Sequence, residues 1–244
     1  MATEHTTIKI QDIEVPVRIH REMRMGARAS LRQDAAVLRI PRYLPEWEEQ
    51  RLKKWFEDWL RLQMESKPHL LERLQSKVFS DGDIVTVGAR QYHLAIEERD
   101  TKGHSARLRG GVIHIQLSRS GSESNQKEAI ATLLRRIVAQ DQLPALTRRV
   151  HELNALYFKQ NIKSVRLKYN RSNWGSCSRS GNINLSSRLL FAPTEVQDYV
   201  IIHELAHLLE FNHSHRFWDI VAAADPQYKT HVEWLKKHGH DCDF

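Results

Sequence analysis

Residues 203–207 read His-Glu-Leu-Ala-His, and the apolar run Tyr199-Val200-Ile201-Ile202 leads into them. Val196, Tyr199, Val200, Leu205 and Leu208 fall on overlapping helical faces, and Pro193-Thr194-Glu195 has the composition of a helix start. On a helix, side chains four apart stand one turn above each other, so His203 and His207 can offer imidazole nitrogens to one ion. Glu204 lies about 100° round the helix from His203, near such an ion without having to bind it. A carboxylate there can take a proton from a metal-activated water, which is the chemistry of a zinc hydrolase. Without that role, histidines on so apolar a helix would be costly polar groups.

An open catalytic zinc site takes three protein ligands. His213 and His215 both follow the helix. His213 lies directly on the turn, with Asn212 able to adopt the left-handed conformation that ends a helix, and is the preferred third ligand; His215 is the competitor. The spacing from His203 to His213 matches the metzincin pattern, but glycine stands three residues after the second histidine in that pattern and Glu210 stands there in this chain. No NExxxD-type segment follows that would supply a glutamate ligand. The expected site is therefore Zn2+ held by His203, His207 and a third histidine, His213 in preference to His215, with Glu204 as general base. Phe217, Trp218, Ile220 and Val221 read as a helix that packs the His213 turn into place.

The elements that must position these residues can be read from periodicity. Ile8–Ile10, Ile13–Ile19 and Val37–Ile40 alternate apolar with polar, punctuated by Pro16, Gly26, Pro41 and Pro45, as short half-buried strands do. Arg18, Arg21, Arg24, Arg28, Arg32, Arg39 and Arg42 are spread through this zone. Alternation alone makes them solvated outward positions; the functional reading is an anion-facing sheet surface. After Pro45 the period changes, and Leu52, Trp55, Phe56, Trp59, Leu60 and Met64 predict an amphipathic helix over 46–65. A short helix carrying Leu70, Leu71 and Leu74 is expected next. Strands return at Ile84–Val87, Tyr92–Ile96 and Val112–Leu117, with turns at Asp81-Gly82-Asp83, Gly88 and Gly110-Gly111, and Ser118–Gln126 reads as a loop. Two helices separated by Pro144 are expected, one marked by Ala129, Leu133, Leu134, Ile137 and Val138, the other by Leu146, Val150, Leu153, Leu156 and Tyr157. Val165, Leu167, Tyr169 and then Ile183 and Leu185 alternate, suggesting a hairpin around Ser178–Gly181. No internal repeat is visible. The class is α+β: a β-rich region with a helical insertion over 1–120 and a hydrolase core over 121–244.

Composition bounds the rest. In 244 residues, 41% hydrophobic and 27% charged content supports a packed core and excludes wholesale disorder. Lys plus Arg (37) exceeds Asp plus Glu (30), giving +7, which excludes an acidic solvating chain and favours anionic partners. Two cysteines, Cys177 and Cys242, exclude a disulfide framework and a four-cysteine zinc site. The opening MATEHTTIKI lacks a basic segment followed by an apolar one, and no run of about eighteen apolar residues exists, so a soluble cytoplasmic protein with no membrane partner is expected.

The strings Asn173-Trp174-Gly175-Ser176-Cys177-Ser178, Gly181-Asn182-Ile183-Asn184-Leu185, Tyr199 through His207 and Asn212-His213-Ser214-His215-Arg216-Phe217-Trp218 together resemble the YgjP-like metallopeptidase family, which is related to the SprT-like and Wss1-like zinc proteases. The resemblance covers most of the chain. It implies His203, His207 and His213 as zinc ligands, Glu204 as general base, and a gluzincin-like core with a small sheet over the active-site helix. Such sequences usually carry arginine just before Trp-Gly-Ser-Cys; this one has Asn173, so that role is altered or passes to Arg171.

The leading expectation is a zinc-dependent hydrolase, a metallopeptidase acting on peptide or protein. Trp174, Gly175, Asn184, Arg188 and Tyr199 are the substrate-binding candidates, with Asn184, Arg188 and Tyr199 as possible oxyanion donors. One alternative keeps the metal and makes the chain a nucleotide triphosphate pyrophosphatase, with Lys168, Arg171, Arg179 and Arg188 gripping phosphates. Another is a nucleic-acid-associated SprT-like protease. The tail could scavenge metal through His238, His240 and Cys242, but reads as a mobile terminus.

Overall fold

Alternation becomes strands in both parts of the chain, and each set of strands is closed by a long helix. The computed structural model describes residues 3–10, 13–32, 35–66, 78–120, 123–170 and 172–244. They divide into two units, 1–77 and 78–244. The division falls at residue 77, and the second set of strands shares its apolar core with the helices that follow it.

In the first unit, β1 (Thr3–Ile10), β2 (Ile13–Glu22), β3 (Arg28–Leu31) and β4 (Ala36–Pro41) form a sheet of order β1-β2-β4-β3. Val15, Val17 and Ile19 of β2 and Ala36, Leu38 and Ile40 of β4 point to one face. The helix α1 (Glu46–Ser66) covers that face with Phe56, Leu60 and Met64. Each such side chain, fully buried, is worth about 1.5–3 kcal/mol. The short helix expected around Leu70–Leu74 lies outside the described residues.

In the second unit, β5 (Ile84–Val87), β6 (Arg90–Arg99), β7 (Ser105–Arg109) and β8 (Val112–Ser118) form a sheet of order β5-β6-β8-β7. The helix α2 runs unbroken from Glu123 to Leu153 with Pro144 inside it. It therefore starts within the expected loop and replaces the two expected helices. Val138 before the proline and Leu146 and Val150 after it are buried in one core, and that burial offsets the missing backbone bond. A π-turn, Asn154–Phe158, follows; its wider turn carries Leu156 and Tyr157 out to solvent, away from their expected buried face. Then come β9 (Ser164–Lys168), β10 (Gly175–Cys177), β11 (Asn182–Ser186), a 3₁₀ turn (Ser187–Phe191), and the helices α3 (Thr194–Ala206), α4 (His215–Ala224) and α5 (Tyr228–His238). The hairpin turns at Ser178–Gly181, but its first strand is β10; β9 lies on the other side of β11 and runs parallel to it. This small sheet packs through β10 and β11 against α3.

An internal repeat is present after all. A shift of 77 residues carries β2 (Ile13–Glu22) onto β6 (Arg90–Arg99), the end of β1 (Ile10) onto that of β5 (Val87), and the first residue of α1 (Glu46) onto that of α2 (Glu123). Strand registers move with it: Val17 opposite Ala36 becomes Leu94 opposite Ile113, and Arg28 opposite Arg39 becomes Ser105 opposite Gln116. Buried positions coincide as well: Val15 with Tyr92, Leu38 with Ile115, Phe56 with Leu133, Leu60 with Ile137. Burial is retained where residue type is not, which hides the repeat from a reading of letters. No helix among the described residues is long and apolar enough to cross a membrane.

Candidate metal centre

The helix α3 buries almost everything on it, Val196, Tyr199, Val200, Ile201, Ile202, Glu204, Leu205 and Ala206. After Ala206 the chain leaves by successive turns, Leu208 N–H to Leu205 O, Leu209 N–H to Ala206 O and Glu210 N–H to Ala206 O. These close the helix without the left-handed Asn212 that was expected; among the described non-glycine residues only Lys159 has positive φ. Ser214 then caps α4, its hydroxyl accepting from the Phe217 N–H at 3.4 Å, and this fixes the segment that carries His213.

His203, His207 and His213 converge, with one ring nitrogen from each lying within 4.8 Å of the others. Nε2 of His213 stands 3.2 Å from Nε2 of His203. Two nitrogens each about 2.0–2.1 Å from one tetrahedral zinc would be roughly 3.4 Å apart, so this pair has the span of two ligands on one ion. His207 Nδ1 donates to the Glu210 carbonyl at 3.2 Å, which leaves Nε2 with its lone pair for the ion. Nδ1 of His203 is buried with no hydrogen-bond partner among the described residues. Burial, reinforced by His207 and His213, holds the His203 imidazolium down to about 4, and burial lowers His207 too, so both rings are neutral, the ligating form. The donor set and spacing fit a divalent cation of the zinc type. His215 is outside the cluster, its side chain 95% exposed and its Nδ1 3.1 Å from Asp219.

Glu204 is 5% exposed, and burial pushes its carboxyl up to about 8. It rests on β10: a Cβ at Gly175 would sit 2.5 Å from Glu204 Oε1 and 2.7 Å from its Cγ. The glycine is needed for this close approach.

Of the substrate candidates, Gly175 and Tyr199 lie at the centre. The Tyr199 ring meets His203 edge-on at 6.0 Å, and its hydroxyl has no hydrogen-bond partner among the described residues. Burial, then Asp225, Glu204 and Tyr228, push that phenol up to about 12. Asn184 does not reach the centre. Its side-chain amide donates across the hairpin to the Ser176 hydroxyl at 3.3 Å, while Gly175 and its partner Leu185 face α3; successive strand residues face opposite sides. Arg188 is 4% exposed and turned inward, donating to the Cys242 carbonyl at 2.9 Å and to the Gly239 carbonyl, with its guanidinium 4.6 Å from the Trp174 ring. Trp174 thus belongs to an internal clamp. A Cβ at Gly239 would lie 2.5 Å from that ring. The tail is consequently ordered, not mobile, with Cys242 buried and Phe244 packed on Phe191 at 4.8 Å. The cations considered for a nucleotide are dispersed: Lys168 is on β9, at the sheet edge opposite β10, Arg179 lies 4.9 Å over Phe211, Arg188 is internal, and Arg171 is outside the described residues.

Of two supports, the first belongs to the helix expected at Phe217–Val221 and the second escaped the sequence reading. Trp218 stacks on His213 at 5.8 Å and on Tyr228 at 5.4 Å, bracing the exposed third histidine. His231 Nδ1 donates to Asp225 at 2.8 Å, and its ring lies 6.2 Å from Tyr199. Only a signal linking α5 back to α3 could have exposed the second, and no local spacing carries one.

A helix-borne histidine pair and a third histidine from the following turn could hold a metal ion, and a buried glutamate adjoins the first of them on the helix. Residues 26–238 match the YgjP-like metallopeptidase domain, and the chain belongs to that family. Among solved structures, one described as the metallopeptidase zymogen of Pyrococcus abyssi abylysin is similar at 25% identity, over 38% of this chain and 93% of that one, with a TM-score of 0.35. No curated protein matches.

Proposed function

We propose that this chain is a zinc-dependent peptidase in which His203, His207 and His213 hold the ion and Glu204 is the general base. The observation that carries this reading is the convergence of three imidazole nitrogens beside a buried carboxyl that lies against a strand edge. When bound, zinc supplies a Lewis acid that polarises the scissile carbonyl and acidifies water. The Glu204 carboxyl, protonated more readily because it is buried, would be favoured as carboxylate by a bound dication. Glu204 then accepts a proton from the attacking water and returns it to the leaving amine. In this reading the Tyr199 hydroxyl, one turn before His203, donates to the charge developing on the carbonyl oxygen.

The strand β10 orients the substrate. It is an edge strand in the order β10-β11-β9, and Ser186 N–H to Trp174 O and Ser178 N–H to Asn182 O fix which residues bond inward. By antiparallel alternation, the main-chain groups of Gly175 and Cys177 face the open edge. An extended peptide adding there lies along Glu204. The Asn173 side chain already donates to the Gly175 carbonyl at 3.0 Å, leaving the N–H of Gly175 and both groups of Cys177 for substrate.

The test is a Glu204→Gln variant loaded with zinc and assayed on unfolded proteins and peptides. It should retain stoichiometric metal and lose cleavage. Wild-type turnover in this variant would remove Glu204 as base, and a zinc-loaded wild type inert on all peptides would remove the peptidase reading.

A further inference from the structure

The internal repeat supplies its own control, because two copies of one sheet-and-helix module can be compared position by position. In the second copy, α2 has a second apolar flank, Ile130, Leu134 and Val138, all buried. The positions 77 residues earlier on α1 are Lys53, Glu57 and Arg61, with Lys53 paired to Glu49 at 2.9 Å. The first copy therefore has no apolar flank on which to seat a catalytic half.

It differs in the opposite sense at one end of its sheet. Met23 is 82% exposed, Met25 104%, Tyr43 77% and Trp47 63%. Their counterparts in the second copy are Asp100, Lys102, Ser120 and Ser124. Four polar positions in one copy are thus large apolar positions in the other. They also share a location: Glu22 is opposite Pro41 in the parallel pair β2–β4, and Arg42 N–H bonds to the Glu22 carbonyl at 2.9 Å, so the 23–27 and 42–45 loops leave the sheet side by side. Trp47 follows in the first turn of α1.

The charge around this tip selects its partner. Glu22 is held by Arg39 at 3.1 Å and Arg24 at 3.7 Å, Glu48 by Arg51 at 3.3 Å, and Glu49 by Arg21 at 2.7 Å. Arg28 and Arg42 have no carboxylate partner among the described residues, against one carboxylate without a cation partner there, Glu46. One face of each ring is already covered, Tyr43 by Arg42 at 5.6 Å and Trp47 by Arg51 at 5.5 Å, which disfavours insertion between nucleic-acid bases. Thioether side chains adapt to varied apolar partners, as a surface that must accept different polypeptides requires.

We propose that the N-terminal unit is a substrate-docking copy of the module, whose Met23, Met25, Tyr43 and Trp47 tip, flanked by Arg28 and Arg42, binds an extended polypeptide segment mixing apolar and acidic residues. The proposal rests on the peptidase reading for its choice of a polypeptide. It is tested in the full-length Glu204→Gln protein, by fluorescence anisotropy with a labelled peptide of leucine, phenylalanine and glutamate. Met23→Ser with Met25→Ser, or Trp47→Ser, should each weaken binding at least about fivefold, as loss of an interface anchor does. Leu62→Ser, another exposed apolar residue of α1, should change nothing. Replacing the peptide's glutamates by lysines should weaken binding, and Arg28→Glu with Arg42→Glu should reverse that preference. In otherwise wild-type protein, the tip variants should raise KM for a long substrate bearing the segment and leave a short peptide unaffected. Equal peptide binding by wild type and tip variants overturns the proposal. So does a tip that binds only phosphatidylserine vesicles or an oligonucleotide. Peptide binding that depends on the tip, in a protein that cleaves nothing, supports docking and removes the peptidase reading instead.

Discussion

Gly175 lies directly beneath the Glu204 carboxyl, with no room between them for a methyl group. The proposed base is therefore positioned by the main chain of the strand that would receive substrate. Gly175→Ala should push Glu204 away from its place while leaving the three histidines intact. A displacement of about 1 Å at a catalytic group can cost roughly 100-fold in rate, so kcat should fall by that order with zinc content unchanged. Metal analysis beside peptidase assay checks this; an alanine variant with wild-type kcat would show that the contact does not position the base.

The third ligand can be separated from its neighbour. His213→Ala should weaken zinc binding by more than the roughly 10–100-fold typical of outer partners, whereas His215→Ala should leave it unchanged, since that ring is exposed and turned to Asp219. Trp218→Ala should fall between them, because its indole stacks on His213 without supplying a ligand. Competition with a chromophoric chelator measures all three, and equal affinities for the two histidine variants would sink the assignment.

In the proposed mechanism Tyr199 donates to the developing oxyanion, and removing its hydroxyl leaves the ring packing in place. Tyr199→Phe should lower kcat by about 100-fold with little change in KM or metal content. A change confined to thermal stability would make it a packing residue only.

What could be read from the sequence was what depends on near neighbours. The His203–Glu204–His207 spacing, the helix that carries it and the alternating strands follow from periods of two to four residues. What could not be read depends on distant partners or on parity. Asn184 sits beside Leu185 in sequence but on the opposite face of β11. Arg188 finds its carbonyls 51 and 54 residues later, which turns an apparent surface cation into an internal brace. Pro144 signals a break locally, but the core on both sides of it carries α2 through. The duplicated module retains burial and register while exchanging Val15 for Tyr92 and Ala36 for Ile113, so only coordinates reveal it.

The tail provides a test of that internal brace. Deleting residues 239–244 removes the Cys242 and Gly239 carbonyls from a buried guanidinium, and a buried donor left unsatisfied costs about 1–3 kcal/mol, more when charged. At roughly 2–4 °C per kcal/mol, Tm should fall by several degrees. Arg188→Met in the truncated chain should recover part of the loss, since it removes the donors that have lost those two carbonyls. Scanning calorimetry of the four combinations decides it, and an unchanged Tm on truncation would make the tail dispensable.

Alkaline stability of the second unit should depend on Tyr92. Its ring is 2% exposed, its hydroxyl donates to Asp141 at 2.7 Å, and burial, aided by that hydrogen bond, pushes the phenol up to about 12. A folded-state value above the unfolded one, near 10, means that the native state holds the proton more tightly. The contribution is therefore complete below about pH 10 and is lost as pH rises towards 12, about 2–3 kcal/mol in all by linkage. Cys177 and Tyr199, pushed up to about 11 and about 12, titrate in the same direction, so wild type alone cannot apportion the slope. The difference between wild type and Tyr92→Phe can. The variant should be less stable at pH 8, where the Asp141 bond is lost, and the gap should narrow between pH 10 and 12 in urea titrations; a constant gap across that range would exclude Tyr92 as the titrating group.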